Sequence, residues 1–375
     1  MWMLSIVIAW LVLVLGWGGF WRADQRLGGE EPPSEWPEVL VVIPARDEAA
    51  TIAEVVRAHG ASDYPGQRHL IVVDDASSDG TGTLARDAGA EVLSAPPLPS
   101  GWSGKLAALN AGIAHGLAAH PGTRWVLLTD ADIRHAPCTL GALVARGEAE
   151  RLSLVSLMAR LDARGTWAGL LIPAFVFFFQ KLYPFPWVNR PGHWCAGAAG
   201  GCVLIRRSAL EAVGGIAAIR DALIDDCTLA AKVKHTSPGR TIWLGLSGGE
   251  VTSLRDNHSF VSIWSMVTRT AFTQLHHSVL LLLGAVLAMA FLYLLPPALT
   301  VMGLGMQDIA MTACGGFAWA LMVWAYAPTA QLYDQPSWYG IFLPAAAAVY
   351  TAMTVGSAVA HWRGHGGRWK GRTYP

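Results

Sequence analysis

Charge is scarce in this sequence. Lys, Arg, Asp and Glu make up 14% of its 375 residues, against about 25% in an average soluble domain, while 53% are hydrophobic. So little charge leaves an apolar surplus that must face lipid. Net charge is lacking too: 27 basic residues balance 27 acidic ones, which excludes the basic footprint of a nucleic-acid binder. Cysteine is sparse, at positions Cys138, Cys195, Cys202, Cys227 and Cys314. No C-x-x-C and no Cys/His zinc spacing occurs, so these read as reduced, buried thiols of a cytosolic domain. There is no G-x-G-x-x-G after the first strand-like run and no G-x-x-x-x-G-K-[ST], which excludes the dinucleotide and P-loop fingerprints.

The apolar surplus is concentrated at the two ends. Residues 2–21 form an uncharged run of spanning length, whose last residue opens the basic flank WRADQR (21–26). With no basic start and no A-x-A-like site it reads as an uncleaved anchor, residues 1–22, with its basic flank in the cytoplasm. From Leu280 to Ala360 the only charged residues are Asp308 and Asp334. Three spans are expected at about 278–301, 309–330 and 338–361, with Pro296 and Pro297 kinking the first. The 17 Trp fit a chain with membrane–water interfaces. The tail, 362–375, is basic. One anchor plus three later spans puts this tail opposite the catalytic half, whereas its charge calls for the cytoplasmic side, so the two readings conflict. A further apolar run, 166–187, is broken by Pro173 and Lys181 and rich in aromatics. It is expected as an interfacial helix, with a buried core helix as the other reading. The stretch 256–277 is expected as one amphipathic membrane-entry helix with Trp264, Val267 and Phe272 on its apolar side.

Between the ends, 36–255, strand and helix patterns alternate. EVLVVIPA (38–45), HLIVVDDAS (69–77), a short EVLSA and RWVLLTD (124–130) read as buried strands; 47–60, 79–89 and 105–120 read as helices. That alternation indicates a parallel α/β sheet with its ligand at the carboxyl ends of the strands. The polar residues fall there: Pro44, Arg46, Asp47 and Glu48 after the first strand, Asp74 and Asp75 after the second, Asp130 and Asp132 after the fourth. Asp79 reads as a cap or turn residue.

Two carboxylates at i and i+2 repel one another unless a cation lies between them. Asp130 and Asp132 in LLTDADIRH can reach one Mg²⁺ or Mn²⁺, an ion that takes one or two carboxylates plus phosphate oxygens; an ordinary acidic turn is the alternative. Lys105 opens a helix after two glycines and is either a phosphate or carboxylate partner or a solvated surface lysine. AGAAGG (196–201), with Gly200 and Gly201, admits close approach to backbone or acts as a hinge. CVLIRRS then reads as a strand. Asp225 and Asp226 stand just before a helical run, one able to cap it and the other to act as a general base toward a hydroxyl. Arg269 either neutralises a leaving diphosphate or anchors to headgroups.

The ordered set VVIPARDE, VVDDASSDGT, GWSGKLAALNAG, LLTDADIRH, GGCVLIRRSAL and IDDCTL, from about Val41 to Arg269, resembles the family 2 glycosyltransferases, whose catalytic domain has the GT-A fold, a Rossmann-like nucleotide-diphospho-sugar transferase architecture. The flanking membrane segments are similar to those of ceramide glucosyltransferases, and the whole pattern most resembles the hopene-associated glycosyltransferases of bacterial hopanoid gene clusters. The resemblance implies that Pro44, Arg46 and Glu48 line the nucleotide pocket and Asp75 contacts uracil. It places Lys105 near the nucleotide-sugar and makes Asp130 and Asp132 the DxD motif, with Asp132 the direct metal ligand. It assigns Asp226 as the base and implies inversion at the anomeric carbon. Membrane members carry Q/R-x-x-R-W near Arg269; here Met266-Val267-Thr268-Arg269-Thr270 keeps only the arginine, which argues against a processive polymerase.

The expectation is a metal-dependent, hexosyltransferase-like enzyme of the bacterial inner membrane with a cytoplasmic catalytic domain. It would move one sugar from a UDP-sugar to a lipid acceptor, hopanoid-related in the closest resemblance. Two rivals are transfer to polyprenyl phosphate, whose anionic acceptor needs no base, and a membrane scaffold without catalysis.

Overall fold

The computed structural model describes residues 3–236 and 241–364, plus the backbone of Arg368–Trp369 and Arg372–Thr373. Most of the basic tail thus lies outside the described residues. The chain divides into two compact units. One combines Asp24–Leu161 with Trp187–Arg255; the other combines Met1–Ala23, Asp162–Pro186 and Asp256–Pro375.

The first unit is built on nine strands: β1 (Val39–Ala45), β2 (Arg68–Asp74), β3 (Glu91–Ser94), β4 (Trp125–Thr129), β5 (Ile133–His135), β6 (Leu154–Met158), β7 (Cys202–Arg206), β8 (Ile242–Leu246) and β9 (Val251–Ser253). Seven form one sheet in the order β3-β2-β1-β4-β7-β6-β8, and β5 pairs with β9. Every residue of β1, β4, β6 and β8 is buried. This is why their sequences run apolar without alternation: both faces are covered. The core joins Val41, Ile43, Val72, Leu127, Val155 and Leu204 across the strands, with Val55, Leu143 and Val144 supplied by helices.

The four strands whose alternation with helices indicated a parallel sheet do run parallel, but the sheet as a whole is mixed. β1, β2, β3 and β4 run parallel, and β6 is parallel to β8, but β7 is antiparallel to both β4 and β6. An apolar run has no direction, so CVLIR could not announce its reversal. The consequence is functional. Cys202, the first residue of β7, pairs with Thr129, the last of β4, so the loop before β7 arrives at the rim where β4 ends.

That rim is held by side chain–backbone bonds between two loops. Asp47 N–H donates to Ser77 Oγ at 3.0 Å, Ser78 N–H to Asp47 Oδ1 at 2.8 Å, and Ala49 N–H to Asp79 Oδ2 at 2.9 Å. Asp79 also takes the Thr81 amide at 3.0 Å, a turn-and-cap role. These bonds compete with helical ones. Asp47 is left-handed at φ 50°, and the helix expected from residue 47 begins only at Ile52.

The helix Gly104–Ala119 lies against β1 and β2 by means of two glycines. A β-carbon on Gly112 would come within 2.6 Å of Val73 and 2.7 Å of Val42; one on Gly116 would come within 2.6 Å of both Leu40 methyls. This close seat fixes where the first turn of the helix, with Lys105, sits at the rim.

The second unit is helical. Among the described residues, three helices are long and apolar enough to cross a membrane: Val279–Met306, Ile309–Leu332 and Ser337–Trp362. They match the three expected runs. The first contains a π-helical turn, Ala290–Leu294, directly before Pro296 and Pro297. Proline lacks an amide to donate back, and a widened turn absorbs that local loss. Within the described residues the N-terminal apolar run yields a 14-residue helix, Met3–Gly16, about 21 Å at 1.5 Å per residue against a bilayer core of about 30 Å. Gly18 and Gly19, both left-handed at φ 61°, end it. Thr166–Leu182 is one helix through Pro173, with Leu171, Ile172, Val176 and Phe177 buried within this unit. It therefore carries a core face as well as its aromatics. The single helix expected over 256–277 is two, Phe260–Thr268 and Ala271–Gln274, parted at Arg269–Thr270.

Gly116→Val should therefore lower the thermal stability of the protein by about 1–3 kcal/mol through overpacking. Gly60→Ala, where an added β-carbon meets open space, should leave the melting temperature unchanged or higher. Parallel thermal melts in detergent check both.

Candidate functional site

A single lysine organises the rim. Lys105 is the second residue of the helix Gly104–Ala119, whose N-cap, Ser103, accepts the Leu106 amide at 3.2 Å. Its Nζ lies 2.9 Å from Asp130 Oδ1 and 3.2 Å from Asp225 Oδ2. Burial by itself would favour the neutral amine, but Asp130 and Asp225 outweigh it and hold the ammonium well above the ordinary lysine range.

Asp225 and Asp226 open the helix Asp225–Thr236 and belong to its first turn rather than to the segment before it. Carboxylates are favoured there by the exposed amides and the helix dipole. Asp226 Oδ2 accepts the Gly200 amide at 2.7 Å, and its Oδ1 accepts the Cys227 amide at 2.7 Å. Burial, and then the charge of Asp225, push the Asp226 carboxyl up to about 6. A carboxyl so placed is ionised at neutral pH yet retains real basicity. A β-carbon on Gly200 would lie 3.2 Å from Asp226 Oδ2, which gives a steric reason for glycine in AGAAGG. Gly201 contributes its carbonyl, which accepts Thr129 Oγ1 at 2.8 Å, and its Cα faces Ile133.

Asp132 is buried and faces Arg255, whose Nη2 stands 2.9 Å from its Oδ2. Burial raises the Asp132 carboxyl above its usual range, opposed by Arg255 and assisted by Asp130. The third group lies where β1 and β2 end. Arg46 Nη1 donates to the Asp75 carbonyl at 2.7 Å and sits 3.6 Å from the Asp75 carboxylate. Asp75 is buried, and the Glu48 amide donates to Thr81 Oγ1 at 2.8 Å.

Pro44, Lys105, Asp130, Gly200, Asp225 and Asp226 line one cavity. Arg46, Glu48 and Asp75 cluster beside the β1–β2 ends, and Asp132 sits in its own ion pair. Arg269 belongs to the helical unit, where it caps the C-terminus of Phe260–Thr268. Arg255 was missed in the sequence; it follows β9 in SLRDNHS with no periodic or motif signal. All five cysteines are free: Cys195, Cys202 and Cys227 are buried as expected, but Cys138 is exposed and Cys314 half-buried. Burial pushes the Cys202 thiol up to about 12 and Cys195 up to about 11, which makes neither a ready nucleophile.

Residues 40–214 match the family described as glycosyl transferase family 2. The chain is 27% identical over 241 residues to the "Probable glycosyltransferase YdaM" of Bacillus subtilis (strain 168), covering 56% of this chain. It spans about half, 52%, of the length of that relative. Its structure is similar to the mannosyltransferase PcManGT from Pyrobaculum calidifontis in complex with GDP-Man and Mn²⁺, with TM-score 0.50, 19% identity, and coverage of 93% of this chain and 99% of that one. Glucosyl-3-phosphoglycerate synthase from Mycobacterium tuberculosis, in complex with Mn²⁺, UDP-glucose and phosphoglyceric acid, aligns at TM-score 0.44 and 21% identity over 67% of this chain and 87% of that one. The α/β unit has the GT-A type fold with a mixed sheet.

Removing Arg255 leaves a buried carboxylate without its cation. Arg255→Ala should destabilise the protein by about 1–2 kcal/mol, and Asp132→Asn in that background should recover most of the loss. A double-mutant cycle of thermal melts reads the coupling directly.

Proposed function

We propose that this protein is an inverting glycosyltransferase that moves one sugar from a nucleoside-diphosphate sugar, a UDP-sugar by the resemblance of its motifs, to a lipid acceptor at the cytoplasmic face of a bacterial inner membrane. The observation that carries the reading is Asp226: a carboxylate fixed by the Gly200 amide, with its basicity raised, in a cavity it shares with the Lys105–Asp130 ion pair. Three helices of spanning length in the same chain support a membrane setting and a lipid acceptor. The hopanoid class is the first acceptor to test, on the strength of the sequence resemblance.

Asp130 and Asp132 offer hard oxygen donors two positions apart, the chemistry that suits Mg²⁺ or Mn²⁺, and PcManGT is described in complex with Mn²⁺. Such an ion, when bound, would neutralise the diphosphate of the donor. Lys105 would hold Asp130 in place and add positive charge beside the phosphates. Arg46, Glu48 and Asp75 would form the nucleotide pocket, with Pro44 as its wall.

In the transfer, Asp226 takes the proton of the acceptor hydroxyl as its oxygen bonds to the anomeric carbon. The bond from that carbon to the diphosphate oxygen breaks, and the nucleoside diphosphate leaves from the opposite face. Asp225 orients Lys105 and raises the basicity of Asp226. Arg269, which belongs to the helical unit and stands without the rest of a Q/R-x-x-R-W motif, is assigned no step in the transfer. The GDP-mannose of PcManGT makes the nucleotide base a point to test.

Release of UDP or GDP by purified protein with Mn²⁺, lipid extract and a panel of nucleotide-sugars tests the reading. Asp132→Ala and Asp226→Asn should each lower turnover by about 10²-fold or more; unchanged turnover in both would sink the residue assignments. Full activity in Asp226→Asn alone would move the acceptor to a polyprenyl phosphate, and no binding of any nucleotide-sugar would leave a scaffold. With a base whose carboxyl sits near 6, kcat/KM should fall as pH drops through about 6, because protonated Asp226 cannot accept the proton. The residual activity of Asp226→Asn should lack that acid limb.

A further inference from the structure

The opposite end of strands β1 and β2 carries a second chemical cluster. Glu38 immediately precedes β1, His69 is the second residue of β2 and pairs with Leu40, and His120 caps the C-terminus of the helix Gly104–Ala119. Their side chains converge: one donor atom from each lies within 4.8 Å of the others, the one such three-residue group of His, Cys, Asp and Glu among the described residues. His69 Nε2 stands 3.2 Å from Glu38 Oε1. That nitrogen is buried and lacks hydrogen-bond geometry. The His69 and His120 rings stack with centroids 3.4 Å apart and planes 9° from parallel.

We propose that Glu38, His69 and His120 form a binding site for a divalent transition-metal ion of the zinc class. Two imidazole nitrogens and one carboxylate oxygen make a His₂Glu donor set, which leaves a fourth position for water. Imidazole donors favour Zn²⁺ and its neighbours over the hard ions suited to the all-carboxylate rim. The carboxylate is already oriented from behind by Thr123 Oγ1, which donates to Glu38 Oε1 at 3.3 Å, and the Arg124 amide holds the Glu38 backbone carbonyl at 2.9 Å. Such outer contacts are what hold metal ligands in position. Stacked parallel rings do not converge their lone pairs on one point, so binding requires one imidazole to turn. His120, at a helix end and half-buried, is the one placed to do so.

The location assigns the role. β1 and β2 begin here, and the helix that ends here carries Lys105 on its first turn. Seven strand residues span about 23 Å and sixteen helical residues about 24 Å, so the ion is remote from the rim. It would clamp the far ends of the three elements that carry Arg46, Asp75 and Lys105.

The test uses the full chain in detergent, stripped with a chelator and titrated with zinc chloride by calorimetry, with Co²⁺ absorption as a second probe. Wild type and the Asp130→Asn/Asp132→Asn variant should bind one Zn²⁺ per chain with the same affinity. His69→Ala and His120→Ala should bind at least tenfold more weakly and lose the rise in melting temperature that Zn²⁺ gives the wild type. If either alanine variant melts early without metal, Glu38→Gln and His120→Gln serve in its place. Absence of stoichiometric binding overturns the site, as does unchanged affinity in folded His variants, which would assign the ion to other ligands.

Discussion

Four carboxylates meet at one end of the sheet, and Lys105 is what lets two of them stay there. Asp130, Asp225 and Asp226 come from sequence positions almost a hundred residues apart. Brought together without a cation they would repel, and the rim would open or its carboxyls would protonate. The ammonium between Asp130 and Asp225 fastens the end of β4 to the first turn of the helix Asp225–Thr236. Arg255 does the same for Asp132 from the loop after β9. The first unit is thus tied at its rim by charge and in its interior by apolar packing.

The position of that lysine rests in turn on small residues. Gly112 and Gly116 let the helix behind Lys105 lie directly on Val42, Val73 and Leu40. A larger side chain at either place would lift the helix and move its first turn with it. Gly200 works by a related logic at the rim, since its amide bonds Asp226 and its missing β-carbon leaves room for that carboxylate. Both cases convert an absence of side-chain volume into the placement of a charge.

The helical unit follows a different constraint, the length of the lipid-soluble run. Among the described residues three helices reach or exceed spanning length, whereas two left-handed glycines end the first apolar helix at Gly16, short of the end of its apolar run. Hydropathy counts the residues of such a run, but backbone conformation decides how many of them are helical. The same holds for 256–277, whose apolar periodicity continues across a break at Arg269–Thr270.

Much of the fold was legible because its signals are local. Continuous apolar strands, the helices between them and the acidic residues at strand ends follow from side-chain character along a few neighbouring positions, and those determined the α/β class and the residues to watch. Asp130, Lys105 and Asp226 could be named from sequence, but that they share a cavity could not, because contacts between distant segments leave no local trace. The reversal of β7, the pairing of Arg255 with Asp132 and the meeting of Glu38 with His69 and His120 were likewise decided only in three dimensions. An apolar strand reads the same in either direction, and a lone arginine or histidine carries no mark of its partner. Composition and periodicity determined what this chain is made of; the register and direction of its strands decided which charges face each other.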